Sequence, residues 1–277
     1  MSRYPKISVI TAVLNCGVNL EQCILSVANQ TYPNIEHIFI DGQSTDITIK
    51  IIKKYSAQYP HIRWISEKDQ GIYDAMNKGI SIATGDWIYF LGSDDMLDDK
   101  DILNSIFRNN NLSQSDVICG NVKLNQSDVI FKNYPSLLQI LERGIHHQAI
   151  FCKKDLFDKY GTFETKYQHF ADWVFNMKWF NDKNIKKVYF DRVIALYNET
   201  GFSSEGQDKI FEKEKENLIK RYFTPIIFLF YKSRLSAAVD VAEKALKVLR
   251  RRGIGDFVKN IYNYSIYGRS YFKKGIH

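Results

Sequence analysis

The sequence predicts an α/β protein built on a doubly wound, mostly parallel sheet, with a C-terminal helical and basic extension. Three observations carry this. The first hundred residues alternate short apolar runs with helical patterns, as strands and their covering helices do. The chain has 277 residues, 45% of them hydrophobic and 14% aromatic, enough to bury one large core with a segment appended. From residue 218 onward there are thirteen Lys and Arg against three Asp and Glu, so the net charge of +7 sits wholly in this tail and the preceding part is slightly acidic. The predicted division is a domain over 1–217, with halves 1–105 and 106–217, followed by the extension 218–277.

The elements follow in order. Ile7 to Val13 reads as the first strand. Asn19 is a predicted N-cap with Gln22 three residues on, and Leu20, Ile24, Val27 and Ala28 mark one helical face. Tyr32-Pro33-Asn34 turns the chain into a second strand, Ile35 to Ile40, and then a loop, Asp41 to Asp46. Ile47, Ile51, Ile52 and Tyr55 are spaced for the next helix, Ile62 to Ile65 for a third strand, and Tyr73, Met76, Ile80 and Ala83 for another helix. Trp87 to Leu91 is the fourth strand. Beyond residue 101 the signals mix: Val117 to Val122 and Lys187 to Phe190 look extended, and Phe170 to Asn181 looks like an aromatic-rich helix.

Composition excludes several classes. The cysteines Cys16, Cys23, Cys119 and Cys152 have no C-x-x-C pair, which suggests neither a zinc site nor a disulfide framework and points to a reducing, cytoplasmic setting. No basic segment followed by an apolar one opens the chain, and no apolar run approaches the ~20 residues of a membrane span.

Chemically able residues follow each of the four strands: Asn15, then Asp41, then Glu67 to Gly71, then Ser93 to Asp95. Ligands of open parallel sheets bind at the carboxyl ends of strands, so these clusters are expected to line one crevice. Asp94 and Asp95 match the economy of Mg or Mn, which take one or two carboxylates plus phosphate oxygens. Acids at a helix start are the alternative, because Asp98, Asp99 and Asp101 follow. Asp41, at an Asp-Gly strand end, either accepts from the imide N–H of a base or serves as a turn aspartate. Gly71 allows close backbone approach ahead of a helix start, which attracts anions. Asp74, Asn77 and Lys78 lie about a turn apart on that helix.

These motifs resemble family 2 glycosyltransferases of the GT-A fold, particularly the branch that builds bacterial O-antigen, lipopolysaccharide, capsule and exopolysaccharide repeats. Thr11-Ala12-Val13-Leu14-Asn15 resembles the family's first strand, and Asp41-Gly42-Gln43-Ser44-Thr45-Asp46 its base-binding loop. Asp69-Gln70-Gly71-Ile72-Tyr73-Asp74-Ala75-Met76-Asn77-Lys78-Gly79 resembles its third motif, and Ser93-Asp94-Asp95 its metal motif. The resemblance covers roughly residues 6 to 205. It implies a Rossmann-like nucleotide-sugar half and an acceptor half, with Thr11, Val13, Asn15, Asp41, Ser44, Asp69, Gly71, Asp74, Asn77, Lys78, Ser93 and Asp94 on the donor. Within that set Asp41 would read uracil, Asp94 the ribose, and Asp95 would hold Mn or Mg on the sugar diphosphate. Phe170-Ala171-Asp172-Trp173 resembles the place of the general base, with Asp172 in that role and Trp173 offering an apolar face to a sugar ring. Many relatives carry Glu-Asp where this chain has Ala171-Asp172. His146-His147-Gln148 resembles a His-Gln segment of the family near the donor diphosphate or the acceptor, which implies a structural or acceptor-side role for His147 and Gln148; two adjacent histidines are also metal-ligand types but lack a third ligand at a fitting spacing. Tyr197 to Ser204 resembles the segment that closes over the donor, with Ser203 in the matching position, counted with the acceptor side.

An inverting transfer is a single in-line displacement in which one carboxylate takes the acceptor proton. Of the Gln-x-x-Arg-Trp of processive relatives only Lys178-Trp179 remains, which implies one sugar per encounter. The rivals are a sugar-phosphate nucleotidyltransferase, which would carry a Gly-rich basic loop where this chain has Asn15-Cys16-Gly17, and a non-catalytic nucleotide-sugar-binding partner. In the tail, Tyr222 to Tyr231 is apolar, and Ala237, Val241, Ala245 and Val248 stand at helical spacing among Lys244, Lys247 and Arg250 to Arg252. That reads as an interfacial element for an anionic leaflet, peripheral on the inner face of the plasma membrane, with a docked helix as the alternative. No motif for nucleic acid appears. The resemblance implies a lipid-linked glycan as acceptor.

Overall fold

A computed structural model of the chain describes residues 4–109, 112, 114–198 and 207–234. The four apolar runs form parallel strands, each needing cover on both faces, which helices supply. β1 (Ile7–Val13), β2 (Ile35–Asp41), β3 (Ile62–Ser66) and β4 (Trp87–Phe90) lie in the order β3-β2-β1-β4. α1 (Leu20–Ala28), α2 (Thr48–Gln58) and α3 (Ile72–Ile82) connect them. α1 buries Leu20, Cys23, Ile24 and Val27, and α2 buries Ile51, Ile52 and Tyr55 in one cluster with Val13 and Phe39. Each large apolar side chain so buried contributes about 1.5–3 kcal/mol.

Two local expectations change. The Asn19 side chain makes no capping bond; Gln22 N donates to the Asn19 carbonyl instead, so α1 starts on a backbone turn. Ile47 precedes α2 and is 53% exposed rather than part of its buried face.

The sheet continues through β8 (Ile150–Lys153), β6 (Val117–Leu124), β9 (Lys187–Tyr197) and β5 (Met96–Leu97), with β7 (Ile130–Lys132) added to β6. β8 is antiparallel to β4 and β6, while β6 and β9 are parallel. One sheet therefore runs through the halves expected on either side of residue 105. β9 extends seven residues past Phe190 because its charged Asp191-Arg192 lies in a bulge where the register with β6 shifts around Asn121. Such a bulge interrupts the apolar pattern without ending the strand.

β5 follows Asp94-Asp95 at once and pairs with β9, whereas the next helix, α4 (Ile102–Phe107), starts only after Asp101. The acidic pair is thus no helix cap. α5 (Leu137–Glu142), α6 (Asp155–Tyr160), α7 (Ala171–Phe180) and α8 (Lys209–Tyr222) complete the named helices.

The described residues divide into two compact units: those within 1–135 and 145–213, which hold the whole sheet, and those within 136–144 and 214–234. The boundary expected after 217 falls inside α8. In the second unit Ser136 Oγ caps α5 by accepting from Gln139 N at 3.2 Å. A helix over 225–234 opens on Pro225, suited to a first helical position, and Arg234 pairs with Glu142 at 2.8 Å. Its Ile226, Leu229 and Phe230 are 75%, 66% and 43% exposed on one face. Among the described residues no helix is long and apolar enough to cross a membrane. Ala237 and the basic residues after it lie outside the described residues, as does Ser203.

Candidate active site

Parallel register brings the strand ends to one edge: Val13 stands beside Asp41, and Asp41 beside Ser66. A cleft of about 360 Å³ opens there, lined by the turn after β1, the Gly92 to Asp95 turn after β4, Ile72 and Met76 of α3, and His147, Gln148, Tyr197 and Asn198.

On β1 the expected and observed faces differ. Thr11 and Val13 point into the protein, Thr11 Oγ1 lying 3.0 Å from His37 Nε2 and Val13 in the α1/α2 cluster. Ala12 and Leu14 line the cleft instead. Successive strand residues face opposite ways, so the side chains of Thr11 and Val13 turn to the core while those of Ala12 and Leu14 turn to the cleft.

The neighbouring loops are braced from within. Asn15, with a left-handed φ of 50°, donates its N–H to Ser44 Oγ at 2.9 Å and accepts from Thr45 N at 2.8 Å. Asp41 is fully buried; its carboxylate accepts from Ser66 Oγ at 2.6 Å and from the N–H groups of Gln43 and Ser44 at 3.1 Å. It builds the floor under the loop and does not line the cleft. Gly42 leaves room for Asp69: a Cβ there would fall 2.5 Å from Asp69 Oδ2, and that side chain would have to shift. Asp69 Oδ1 in turn accepts from Gly71 N at 3.0 Å, and Gly71 takes a φ of 122° that favours glycine. Lys78 Nζ donates to the Lys68 carbonyl at 2.7 Å and lies 3.1 Å from Glu67 and 3.5 Å from Asp74, while Asp74 accepts from Gln70 N. Asn77 clamps Phe163, giving Nδ2–H to its carbonyl and taking its N–H, both at 2.9 Å. Asp69, Gly71, Asp74 and Lys78 therefore shape the 67–71 turn, and Asn77 ties α3 to the Phe163 segment.

The two acidic residues after β4 separate by burial. Asp95 is 2% exposed; its Oδ2 accepts from Gln148 Nε2 at 2.8 Å and its Oδ1 from Asn198 N at 2.9 Å. Burial pushes its carboxyl up to about 6, with the Asn198 N–H opposing and the Asp94 carboxylate adding to the rise. Asp94 stays partly exposed in the same cleft, its carboxyl also raised by burial. Among the described residues no group of three or more His, Cys, Asp or Glu suits a metal ion. A hard divalent ion completed by phosphate oxygens needs only one or two carboxylates, and this pair fits that need.

Gln148, expected on the acceptor side, is buried and braces Asp95. His147 lines the cleft, and its Nδ1 lies 3.4 Å from Asp172 Oδ2. His146 turns elsewhere, its Nδ1 2.8 Å from Asn133 Oδ1.

Asp172 sits in the first turn of α7, where its Oδ1 accepts from Tyr73 Oη and Trp173 N, each at 2.8 Å. Burial alone would raise its carboxyl, but the His147 ring, the Tyr73 hydroxyl and the Trp173 N–H together hold it below the usual carboxylate range. It is thus an ionised carboxylate at neutral pH. Its support comes from Tyr73 and His147. Trp173 is 8% exposed and packs against Phe170 and Phe211, so its ring is core and offers no face to a sugar.

The description Glycosyl transferase family 2 matches residues 8–182. The chain belongs to this family. This glycosyltransferase is 36% identical over 214 residues to a PGL/p-HBAD biosynthesis glycosyltransferase of Mycobacterium bovis, covering 76% of this chain and 83% of that one. It is 35% identical over 98 residues to chondroitin synthase of Escherichia coli, covering 35% of this chain and 14% of the synthase. In structure it is similar to S. aureus TarS 1–349 in complex with UDP, with a TM-score of 0.63 and 20% identity over 77% of this chain and 64% of that one. It is equally similar to a mannosyltransferase of Pyrobaculum calidifontis in complex with GDP-Man and Mn2+, with a TM-score of 0.63 and 15% identity over 96% of this chain and 85% of the other. The glycosyltransferase thus has the GT-A-like fold of these neighbours, and the nucleotidyltransferase reading falls away.

The sequence expectation held Tyr73 only as part of an apolar helix face and of the third motif, and Asn198 only as part of the closing segment; it gave neither a contact with an acid, and in the structure Tyr73 reaches Asp172 and the Asn198 N–H reaches Asp95.

Proposed function

We propose that the protein is an inverting, non-processive glycosyltransferase that moves a sugar from a nucleotide donor, UDP-linked by our reading, to a lipid-linked oligosaccharide in cell-surface polysaccharide biosynthesis. The observation that carries it is His147, which lines the cleft beside Asp94 and Asp95 and contacts Asp172, so that one ionised carboxylate stands next to a compartment that holds two others.

Asp172 acts as general base. It takes the proton of the acceptor hydroxyl as that oxygen bonds to the anomeric carbon, the bond from that carbon to the diphosphate oxygen breaks, and the electron pair leaves with the diphosphate. Tyr73 and His147 hold the base in place and keep it charged. A divalent Mn or Mg, when bound, would stabilise charge on the leaving diphosphate. Both acids line the cleft; Asp94 is the more exposed and is assigned the cation, while Asp95, expected from the sequence to hold it, is assigned to bracing the turn with Gln148 and Asn198. Asp41, Ser44 and Asn15 keep the base-side loop in shape, with Leu14 and Val18 presenting apolar surface to a nucleobase. TarS binds UDP and UDP-GlcNAc while the mannosyltransferase binds GDP-Man, so the base is put to direct test.

The helix over 225–234 supplies a membrane contact of the second unit, with Ile226, Leu229 and Phe230 facing an anionic leaflet and Lys220, Arg221 and Lys232 at its fringe. The protein is placed as peripheral on the cytoplasmic side.

Thermal shift with UDP and Mn is expected to stabilise the protein more than GDP and Mn; the reverse order would overturn the uridine reading. Asp172→Asn is expected to cut transfer by about 10²–10⁴ while leaving that stabilisation intact. Full transfer by Asp172→Asn would remove the base assignment. Replacing Ile226 and Leu229 with Glu is expected to release the protein from phosphatidylglycerol vesicles in co-sedimentation, and unchanged binding would overturn the helix as the contact.

A further inference from the structure

Beside Asp172 lies a small cavity of about 20 Å³, walled by Phe90, Phe163 and Phe175 and carrying the polar residues His147, Asp172 and Asn176. Asn176 stands four residues after Asp172 on α7, and residues so spaced share one helix face. It is 3% exposed. Its Oδ1 accepts from Trp179 Nε1 at 3.1 Å, and because an indole nitrogen only donates, this bond decides which end of the amide faces Trp179. Nδ2 is then the end turned away, and among the described residues it meets no acceptor. A buried donor left in that state is costly, and native proteins pair it with protein or water.

The cavity is large enough for a water, which needs roughly 10–15 Å³ of such volume and two to four polar partners. Asn176, Asp172 and His147 are the residues of its lining that can supply such partners.

We propose that Asn176 is a positioning residue for Asp172: its Nδ2–H holds a water in this cavity, and the water donates to the carboxylate. The inference rests on the reading of Asp172 as the base, and it explains how that group is pinned. Tyr73 reaches it from α3, His147 from the turn before β8, and Trp173 N from its own helix. The water adds a further donor, so that rotation of the carboxylate about its Cβ–Cγ bond is opposed by one more hydrogen bond.

The test is a crystal structure of the full chain at a resolution that shows waters, joined to a carboxyl ¹³C NMR titration of Asp172 in the wild type, Asn176→Leu and Asn176→Ser. Density for a water within hydrogen-bond reach of Asn176 Nδ2 and Asp172 is expected in the wild type. Asn176→Leu, which cannot hold the water, is expected to raise the Asp172 midpoint by about half a unit to one unit, the loss of one hydrogen bond to the charged form. Asn176→Ser, which keeps a hydroxyl for the water, is expected to recover most of that shift. A dry cavity in the wild type overturns the proposal, as does an unmoved midpoint in Asn176→Leu. Should the leucine variant fail to fold, the wild-type density and the serine variant decide. These readouts need no donor sugar, so a wet cavity in a protein whose Asp172→Asn variant still transfers sugar would sink the base reading and leave the water standing.

Discussion

At the end of the sheet opposite the cleft, Glu36 offers a measurable link between charge and stability. It is a buried carboxylate on β2 that accepts from Ser8 Oγ at 2.5 Å, Thr84 N at 2.6 Å, Arg63 Nη1 at 2.9 Å and Lys6 Nζ at 3.1 Å. Burial alone would raise its pKa, but these donors outweigh it and bring the carboxyl from 4.5 down to about 2. A shift of that size corresponds to about 3 kcal/mol, and discounting for the partly exposed Lys6 and Arg63 leaves about 2–3 kcal/mol. Because the folded-state value is depressed, this stability is present above the unfolded value of 4.5 and is lost as pH falls toward 2. Glu36→Gln mimics the protonated form. Urea unfolding should therefore find the variant about 2–3 kcal/mol less stable than the wild type at pH 7, with the gap narrowed to about 1 kcal/mol at pH 3. A gap of equal size at both pH values would refute the reasoning, since it would come from shape and not from charge.

Three further outcomes concern the site. Tyr73→Phe removes a hydroxyl donor from Asp172, so the acid limb of the kcat/KM profile, where the base is lost as pH falls through its folded-state value, should move to higher pH and kcat should fall by about tenfold; an unmoved limb would deny Tyr73 a part in the base. Chelation with EDTA should suppress transfer and Mn should restore it, whereas Asp94→Ala should respond to neither; rescue of Asp94→Ala to full activity by Mn would return the cation to Asp95. Gln148→Ala leaves Asp95 one donor short in a buried place and should lower thermal stability by about 1–3 kcal/mol with the UDP-induced shift reduced; a thermal midpoint equal to that of the wild type would show that Gln148 is no brace.

Much of the first half was legible because its signals are local. Burial on both faces forces near-continuous apolar strands, and the period of α1, α2 and α3 shows in Leu20, Ile24, Ile51, Ile52, Tyr73 and Met76. The second half was less so: β9 hides behind Asp191 and Arg192 in its bulge, and β5 has only two residues. Within the site, residue type pointed to the carboxylates but not to their exposure. A motif such as Thr11 to Asn15 names a stretch, while the pleat turns only Ala12 and Leu14 of its strand side chains to the cleft. Trp173 carried an aromatic ring suited to a sugar, and Phe170 and Phe211 claimed it for the core.

By itself the sequence determined a parallel α/β core, the family, and the presence of acids at the strand ends, all consequences of apolar period and of short motifs in adjacent residues. Tertiary structure decided which acid is more exposed and which is braced, and that Asp172 meets Tyr73 from 99 residues away and His147 from 25. The physical reason is that burial and hydrogen-bond partners are properties of packing, and in this chain the groups that set the charge of Asp94, Asp95 and Asp172 arrive from Asn198 just after β9, from α3 and from the turn before β8.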